Sequence, residues 1–317
     1  MFLSIRGRVV VNVEALNMTE SVGNYTKRRR VPVISPDTYT VFFVPAISGE
    51  SIAHGYQQIL AETALNSNLN VCNLCKSGIF LKSTNKDILK HSLAIANYSD
   101  VNDLEQQIVS KCVVEDIGGF LFAEEENLKR TSSFYVGYMI PVKEALEATI
   151  IEPQLQTRYA LGTPFVKREK GTAAAAGQMI YYVELSSSSY VFSFDFDSKY
   201  VGKATFSANK VGTLLVNDRN RRVQVALEAL KKFLIEFMFG AKKTRYLPIV
   251  DWESLVIAVS DDVWTVPSSF TKNYIERAEQ KLKAVNYNTK LFVYPKDGGF
   301  EDVINRAMVE ALNRKSL

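Results

Sequence analysis

The segment from Val41 to Tyr56 changes from a strand pattern to a helix pattern within a few residues. Its apolar run ends at Pro45, and Ser48 follows in a position that favours helix N-capping. We therefore predict a helix from Ser48 to about Leu65. The first amides of a helix lack partners within the helix and carry the positive end of its dipole. Such a start is suited to binding a phosphate, although Glu50 in its first turn competes with an anion.

Positive charges gather in several runs of this chain, although the formal net charge is only +4. Any single basic run usually forms a solvated surface, but several runs beside turns or element ends favour contact with a nucleic-acid backbone. His54 follows Ser48 within two turns, so it either lines the same groove or packs as an ordinary core histidine. The candidate basic contacts are Lys27, Arg28, Arg29, Arg30, Arg158, Lys167, Arg168, Lys242, Lys243 and Arg245.

Strand and helix patterns alternate along most of the chain. Residues 2–16 form a strand pattern with one apolar face, and residues 71–130 are mostly helical and acidic. The later predicted elements are strands at 133–142 and 179–197, a helix from Asn217 or Asp218 to Gly240, a strand at 252–260, a helix near 271–284, a strand at 290–294 and a helix near 301–313.

The core elements follow the order β-α-β-β-α-β, which is the order of the ferredoxin-like fold and of RNA-recognition modules. We therefore predict an α+β protein in which residues 1–317 form one enlarged domain with a mostly helical insertion at 67–130. Tyr190, Phe192, Phe194 and Phe196 share one strand face. Such a face can stack bases, but we expect these rings in the core because the glycine and aromatic signature of an RNA-recognition module is absent.

Two irregular segments interrupt the predicted order. Residues 17–40 contain turn residues and two prolines, and we predict a long loop there. Residues 152–178 combine cations with glycines, prolines and four alanines, and we predict a projecting hairpin. This hairpin could wedge between bases or clasp a neighbouring copy, and a plain surface loop is the alternative.

The sequence gives little support for catalysis, a cofactor or a metal ion. A nucleophile elbow, a Walker-type phosphate loop and a dinucleotide-binding glycine motif are all missing. Cys72 and Cys75 have metal-like spacing, and Cys112 with His91 could complete four ligands, but a second closely spaced pair is missing. We therefore predict no cofactor and no metal, with the cysteines as buried thiols or a disulfide.

The chain is predicted to be cytoplasmic, with no membrane partner. It has no apolar run of the length that a membrane helix needs, and Arg6 comes too early for a secretory signal. An odd number of cysteines, three, favours a reducing compartment.

Several motifs together resemble one known family, the CRISPR-associated backbone subunits, and most closely the archaeal type I-A subunit of the DevR autoregulator family. The first motif is Val44-Pro45-Ala46-Ile47-Ser48-Gly49-Glu50-Ser51-Ile52. The others, in chain order, are Asp116-Ile117-Gly118-Gly119-Phe120-Leu121, Arg130-Thr131-Ser132 and the helix end at Phe239-Gly240.

This resemblance implies a ferredoxin-like palm with helical insertions and a thumb hairpin, here residues 152–178. Copies of such a subunit would line up along one single-stranded guide RNA and, with other Cascade subunits, leave its bases free to pair with target DNA. Lys27–Arg30, Ser48, Gly49, His54 and the cations at 242–245 stand where the family makes palm contacts.

The resemblance also leaves two alternatives open. Related type III subunits cut RNA with a loop aspartate, and Asp37, or Glu20, could hold a metal for that reaction. The older family name suggests a DNA-binding autoregulator, although the sequence has no helix-turn-helix pattern. Type I relatives leave cutting to other subunits, so we expect a non-catalytic RNA-binding protein.

Overall fold

The computed structural model describes residues 1–81, 84–124, 127–159 and 178–314. Within them the strands are β1 (Phe2–Glu14), β2 (Met18–Val22), β3 (Tyr25–Arg28), β4 (Arg30–Ile34), β5 (Val41–Pro45), β6 (Phe120–Ala123), β7 (Asn127–Arg130), β8 (Phe134–Val136), β9 (Ile150–Tyr159), β10 (Gln178–Asp197), β11 (Ile249–Ser260) and β12 (Thr289–Tyr294). The helices are α1 (Gly49–Asn66), α2 (Asn73–Lys76), α3 (Lys86–Leu93), α4 (Val101–Lys111), α5 (Val113–Gly118), α6 (Arg219–Glu236), α7 (Tyr274–Ala284) and α8 (Phe300–Asn313). The predicted α+β class is confirmed.

The main sheet is built around β1 and β10, which pair antiparallel from Phe2 opposite Asp197 to Glu14 opposite Ser186. Strand β11 pairs antiparallel with the other edge of β1, and β12 follows β11. On the far side of β10, β8 pairs with its C-terminal end and β9 with its N-terminal half. The central strands therefore stand in the order β11-β1-β10-β8, each antiparallel to its neighbour.

Both faces of this sheet are covered, which corrects the prediction of one buried face for residues 2–16. One face packs against α1, α6 and α8 in the main apolar core. The other face is covered by α7 and the segment before it, where Trp264 and Tyr274 pack on Val256. Ser4 and Arg8 point to this second face and are buried. Their polar groups tolerate burial because Ser4 Oγ accepts a hydrogen bond from the Val266 amide and Arg8 Nε donates one to the Ser269 carbonyl.

The aromatic stripe of β10 lies in the main core, as predicted. Tyr190, Phe192, Phe194 and Phe196 are all buried. Tyr56 of α1 packs edge-on against Phe194 with ring centroids 5.1 Å apart. These rings therefore hold α1 on the sheet and are closed to bases.

The region predicted as a long loop, residues 17–40, instead forms β2, β3 and β4, so that prediction was wrong. Val22 pairs with Tyr25, which leaves Gly23 and Asn24 as a two-residue turn, and Gly23 has a φ of 61°. Turns of this kind join tight hairpins because their twist matches that of the strands. Strand β4 then pairs with β5 in a separate two-stranded sheet.

Residues 67–130 contain α2–α5 and the hairpin β6–β7, and a buried ionic network anchors them to α6. Arg130 pairs with Glu105 at 3.0 Å and also with Asp116, and Arg222 of α6 pairs with Asp116 at 2.9 Å. All four side chains are buried. The resemblance motifs that contain Asp116 and Arg130 therefore join this segment to α6.

Strands β9 and β10 form an antiparallel ribbon that continues past the end of β1. Their pairs run from Ile150 opposite Ser187 to Tyr159 opposite Gln178, whereas β1 pairs with β10 only as far as Ser186. Residues 160–177, most of the predicted hairpin, lie outside the described residues. In the described part of the chain, none of the helices has the length and apolar character required to cross a membrane.

Candidate nucleic-acid interface

The start of α1 lies beside the basic run 27–30 because both are bonded to Asn17. Asn17 Oδ1 accepts a hydrogen bond from the Ser48 amide at 2.8 Å and one from Arg29 Nε at 3.0 Å. The Arg29 amide also donates to the Asn17 carbonyl at 2.9 Å. One asparagine therefore fixes the guanidinium of Arg29 next to the first turn of the helix.

The basic segment 242–245 reaches the same place through Leu16. The Ala241 amide donates to the Leu16 carbonyl at 2.8 Å. Gly240 has a φ of 82°, and a Cβ there would stand 2.7 Å from the Leu16 oxygen, so a side chain is excluded. The three cations follow directly, with Lys242 and Lys243 half-buried and Arg245 exposed.

His54 lies on the exposed side of α1 near this segment. Its ring packs edge-on against Phe80 with centroids 5.1 Å apart. Burial lowers the pKa of His54 below its usual 6.5, and the charge of Lys243 lowers it further. The neutral form of His54 is therefore favoured at pH 7 and can act as a hydrogen-bonding group, while Lys243 supplies the positive charge.

Ser48 and Gly49 are buried, unlike the exposed helix start that the sequence suggested. Ser48 caps the helix, because its Oγ accepts from the Ser51 amide at 3.3 Å. A Cβ at Gly49 would stand 2.9 Å from the Val136 carbonyl, so β8 packs directly on this turn. Within this turn only Glu50 is exposed. Ser48 and Gly49 therefore position the residues around them and do not themselves reach the surface.

Arg28 is removed from the candidate set, because its side chain is buried and paired with the equally buried Glu14. Glu14 Oε1 also accepts hydrogen bonds from Ser186 Oγ at 2.8 Å and from the Tyr190 hydroxyl at 2.9 Å. Strand alternation turns Arg28 inward while its neighbours Lys27 and Arg29 reach the surface. Arg28 is thus a structural cation that ties β3 to β1.

Lys27 and Arg30 are exposed and paired with carboxylates. Lys27 Nζ lies 3.3 Å from Glu20, and Arg30 Nη2 lies 2.7 Å from Glu184 of β10. Strand β3 itself pairs with β10 at Tyr182 and Val183, near the base of the β9–β10 ribbon. The exposed cations therefore extend from this ribbon to the start of α1.

Comparison with known proteins decides the family. The family model described as CRISPR-associated negative auto-regulator DevR/Csa2 matches residues 5–279. The chain belongs to the DevR/Csa2 family. It is 37% identical over 280 residues to CRISPR-associated protein Cas7/Csa2 1 of Saccharolobus solfataricus, a match that covers 87% of this chain and 85% of the relative. It is 34% identical over 281 residues to CRISPR-associated aCascade subunit Cas7/Csa2 2 of the same organism, covering 87% and 84%.

Solved structures share the fold of this DevR/Csa2 chain. A chain from a structure titled CRISPR RNA-guided surveillance complex, pre-nicking, aligns with a TM-score of 0.56 and 12% identity. A chain from a second structure, titled CRISPR RNA-guided surveillance complex, gives 0.53 and 10%. Each alignment covers 98% of this chain and 100% of the other.

Three predicted contacts of this family member come from the segment 152–178, for which the sequence predicts a hairpin. Arg158 lies on β9 opposite Met179 of β10. Lys167 and Arg168 fall outside the described residues. The predicted role of these three cations therefore stays a prediction.

The two carboxylates considered for catalysis are each paired with a lysine. Asp37, between β4 and β5, lies 2.6 Å from Lys143, and Glu20 lies on β2 beside Lys27. Among the described residues, the one group of three or more potential ligands is Cys72, Cys75, Cys112 and Glu115. Neither Asp37 nor Glu20 belongs to that group.

Sequence reasoning missed the residues that assemble this region, namely Glu14, Leu16, Asn17 and Glu184. Asn17 follows a strand and precedes a hairpin, so it looks like an ordinary turn residue. Its role depends on contacts with Arg29 and Ser48, which are distant in sequence. A buried acid such as Glu14 in an apolar strand was the one available signal that a nearby cation would be buried too.

Proposed function

We propose that this chain is a non-catalytic backbone subunit of an archaeal Cascade complex, which holds guide RNA in the cytoplasm and presents it to target DNA. The observation that carries the proposal is the convergence of Arg29, the start of α1 and segment 241–245 on Leu16 and Asn17. The name of the aCascade relative, 34% identical over most of this chain, supports the same function.

The RNA backbone runs, in this proposal, from the base of the β9–β10 ribbon past α1 to segment 242–245. Lys27 and Arg30 contact phosphates near the ribbon, and Arg29 contacts a phosphate at the start of α1. Farther along the path, the phosphates are contacted by Lys242, Lys243 and Arg245. The exposed pair of Lys27 and Glu20 contributes little and exchanges readily with phosphate. Arg30 can keep its bond to the buried Glu184 and still offer its other guanidinium N–H groups to a phosphate. Contacts limited to the backbone leave the guide bases free to pair.

The palm is, in our proposal, ferredoxin-like and spans residues 1–317 as one domain. The antiparallel order β11-β1-β10-β8, with α1 and α6 packed on one face, supports this assignment. Residues 67–130 are then its helical insertion. Residues 152–178 are its thumb, which the continuation of β9 and β10 past β1 supports.

Neighbouring copies meet, we propose, at the hairpin β4–β5. Ile34 pairs with Val41 and Pro32 with Phe43, so these four side chains share one face of the two-stranded sheet. All four are exposed, including Phe43 at 72%. Among the described residues, no further strand pairs with β4 or β5. A grouped apolar face on such a hairpin is typical of a protein contact.

Purification with and without nuclease tests the proposed function. We expect the protein, expressed with a CRISPR array, to carry short RNAs of uniform length that resist nuclease along the bound stretch. Random cellular RNA, or none, would contradict the proposal. An excess of operator-like duplex DNA should fail to displace the RNA, and displacement would favour the autoregulator instead.

Incubation of labelled RNA with Mg²⁺ or Mn²⁺ tests the non-catalytic part. We expect intact RNA with the wild type and with Asp37→Ala, since Asp37 is engaged by Lys143. Metal-dependent cleavage that is lost in Asp37→Ala would establish the ribonuclease alternative.

A further inference from the structure

Three cysteines and one glutamate meet in the interior of the segment 67–130. Cys72 immediately precedes α2, Cys75 lies within it, Cys112 joins α4 to α5, and Glu115 belongs to α5. Their exposed fractions are 4%, 1%, 0% and 0%. One ligand atom from each, three sulfurs and a carboxylate oxygen, lie within 4.8 Å of one another.

Hydrogen bonds already hold these side chains toward a common centre. Cys75 Sγ donates to Glu115 Oε1 at 2.8 Å, and the Leu81 amide donates to the same oxygen at 3.0 Å. The Cys72 amide donates to Cys112 Sγ at 3.3 Å. All three cysteines are free thiols, so no disulfide occupies this position.

We propose that Cys72, Cys75, Cys112 and Glu115 form a structural zinc site. In a tetrahedral site, Zn–S bonds of about 2.3 Å place neighbouring sulfurs about 3.8 Å apart, which the observed cluster reaches with shifts of about 1 Å or less. Four protein ligands leave no open position, so the site stabilises the fold and does not activate water. The soft, sulfur-rich ligand set favours zinc over magnesium or calcium.

Binding requires three protons to leave, one from each thiol, because thiolate is the ligand form. Three thiolates and a carboxylate around Zn²⁺ leave a net charge of −2 in the interior. The amides of Cys72 and Leu81 already donate to ligand atoms and so offset part of that charge. Cys75 lines a cavity of about 600 Å³, which gives the ion a route from solvent.

The site would join two parts of the insertion that are 40 residues apart, from Cys75 to Glu115. Helix α5 also carries Asp116, the centre of the ionic network with Arg130 and Arg222. Lys76, next to Cys75, lines the same cavity as Lys243. Zinc would therefore fix the internal fold of the insertion close to the proposed RNA path.

Metal analysis of protein purified without chelators tests this proposal. We expect elemental mass spectrometry to find about one zinc ion per chain. We also expect the three thiols to react with a thiol reagent only after the protein is denatured in the presence of a chelator. Cys112→Ser should abolish zinc binding and lower the Tm, while Glu115→Gln should weaken zinc retention without changing the cysteines. His91→Asn is the matched control, because His91 is exposed and lies outside the cluster.

Cobalt substitution gives a readout that does not depend on stability. Co²⁺ added to protein from which a chelator has removed the metal should produce thiolate charge-transfer absorption and the visible bands of a tetrahedral site. Wild-type protein that stays metal-free in excess zinc and gives no such spectrum would overturn the proposal. A cysteine disulfide, seen as two missing thiols, or iron in place of zinc would also overturn it.

Discussion

Arg28 and Arg29 are adjacent cations with different environments. Arg28 is buried against Glu14, whereas Arg29 is half-buried and bonded to Asn17 at the proposed interface. The run 27–30 predicts a cationic surface but does not separate these two residues, because the difference comes from Glu14 and Asn17, which lie twelve or more residues earlier in the chain. The turn residues and prolines of 17–40 predict a loop, in which the alternation of strand faces is not expected.

Removing Arg28 should affect folding, and removing Arg29 should affect RNA binding. Arg28→Ala leaves Glu14 buried without its cation, and we expect a loss of about 3–5 kcal/mol in the free energy of unfolding. Arg29→Ala loses one partly exposed hydrogen bond, at about 1 kcal/mol. Urea unfolding of both variants measures this, and equal losses would refute the different roles of the two residues.

His54 gives a prediction for pH. Its folded pKa lies below 6.5, owing to burial and to Lys243, so the unfolded chain binds more protons as the pH falls through 6.5. Its contribution to stability is therefore complete above pH 6.5 and decreases on acidification toward the folded pKa. We expect Lys243→Gln to raise the His54 pKa in an NMR titration, with His54→Gln identifying the resonance. An unchanged pKa would show that Lys243 does not act on His54.

At the scale of elements, local patterns located most helices and long strands. The Ser48 cap and the apolar spacing of α6 and α8 predicted those helices within a few residues. The short strands were missed, since four or five residues carry too little periodicity and Pro32 suggested a loop. The strand predicted at 133–142 is shorter in the structure, where only the three residues of β8 pair continuously with β10. Gly137 follows β8, and the chain beyond it pairs only through isolated bridges.

The β4–β5 hairpin carries a prediction about assembly. Val41→Glu with Phe43→Glu places two charges on its exposed apolar face. We expect one copy to bind a short RNA as tightly as before, while assembly of several copies on a long RNA is lost because the new carboxylates would be buried without partners in an apolar contact. Native mass spectrometry of both complexes provides the measurement.

The matched control is Val263→Glu with Val309→Glu, which adds equal charge at exposed apolar positions outside this hairpin. Equal loss of assembly in the control pair would point to a general charge effect. Unchanged assembly in the hairpin variant would remove β4–β5 from the copy-to-copy contact.

At the scale of the whole molecule, the sequence predicts the order of the long strands and helices along the chain. It does not predict how the basic segments meet in space. The strand order β11-β1-β10-β8 brings the ends of distant segments together at Leu16 and Asn17. A net charge of +4 contains no information about that arrangement. The arrangement depends on single contacts, such as the Asn17 amide oxygen shared by Arg29 and Ser48, which short-range patterns do not report.

The salt dependence of single-stranded RNA binding tests the central claim most directly. Arg29, Lys243 and Arg245 changed together to Ala should reduce the slope of log K against log salt by about 2, since each phosphate contact on a single strand contributes about 0.7. Lys272, Arg277 and Lys283 are exposed cations on or next to α7, which covers the opposite face of the sheet, and their triple Ala variant changes the net charge equally. We predict an unchanged slope for this control. A wild-type slope in the first variant, or the same decrease in both, would contradict the proposed interface.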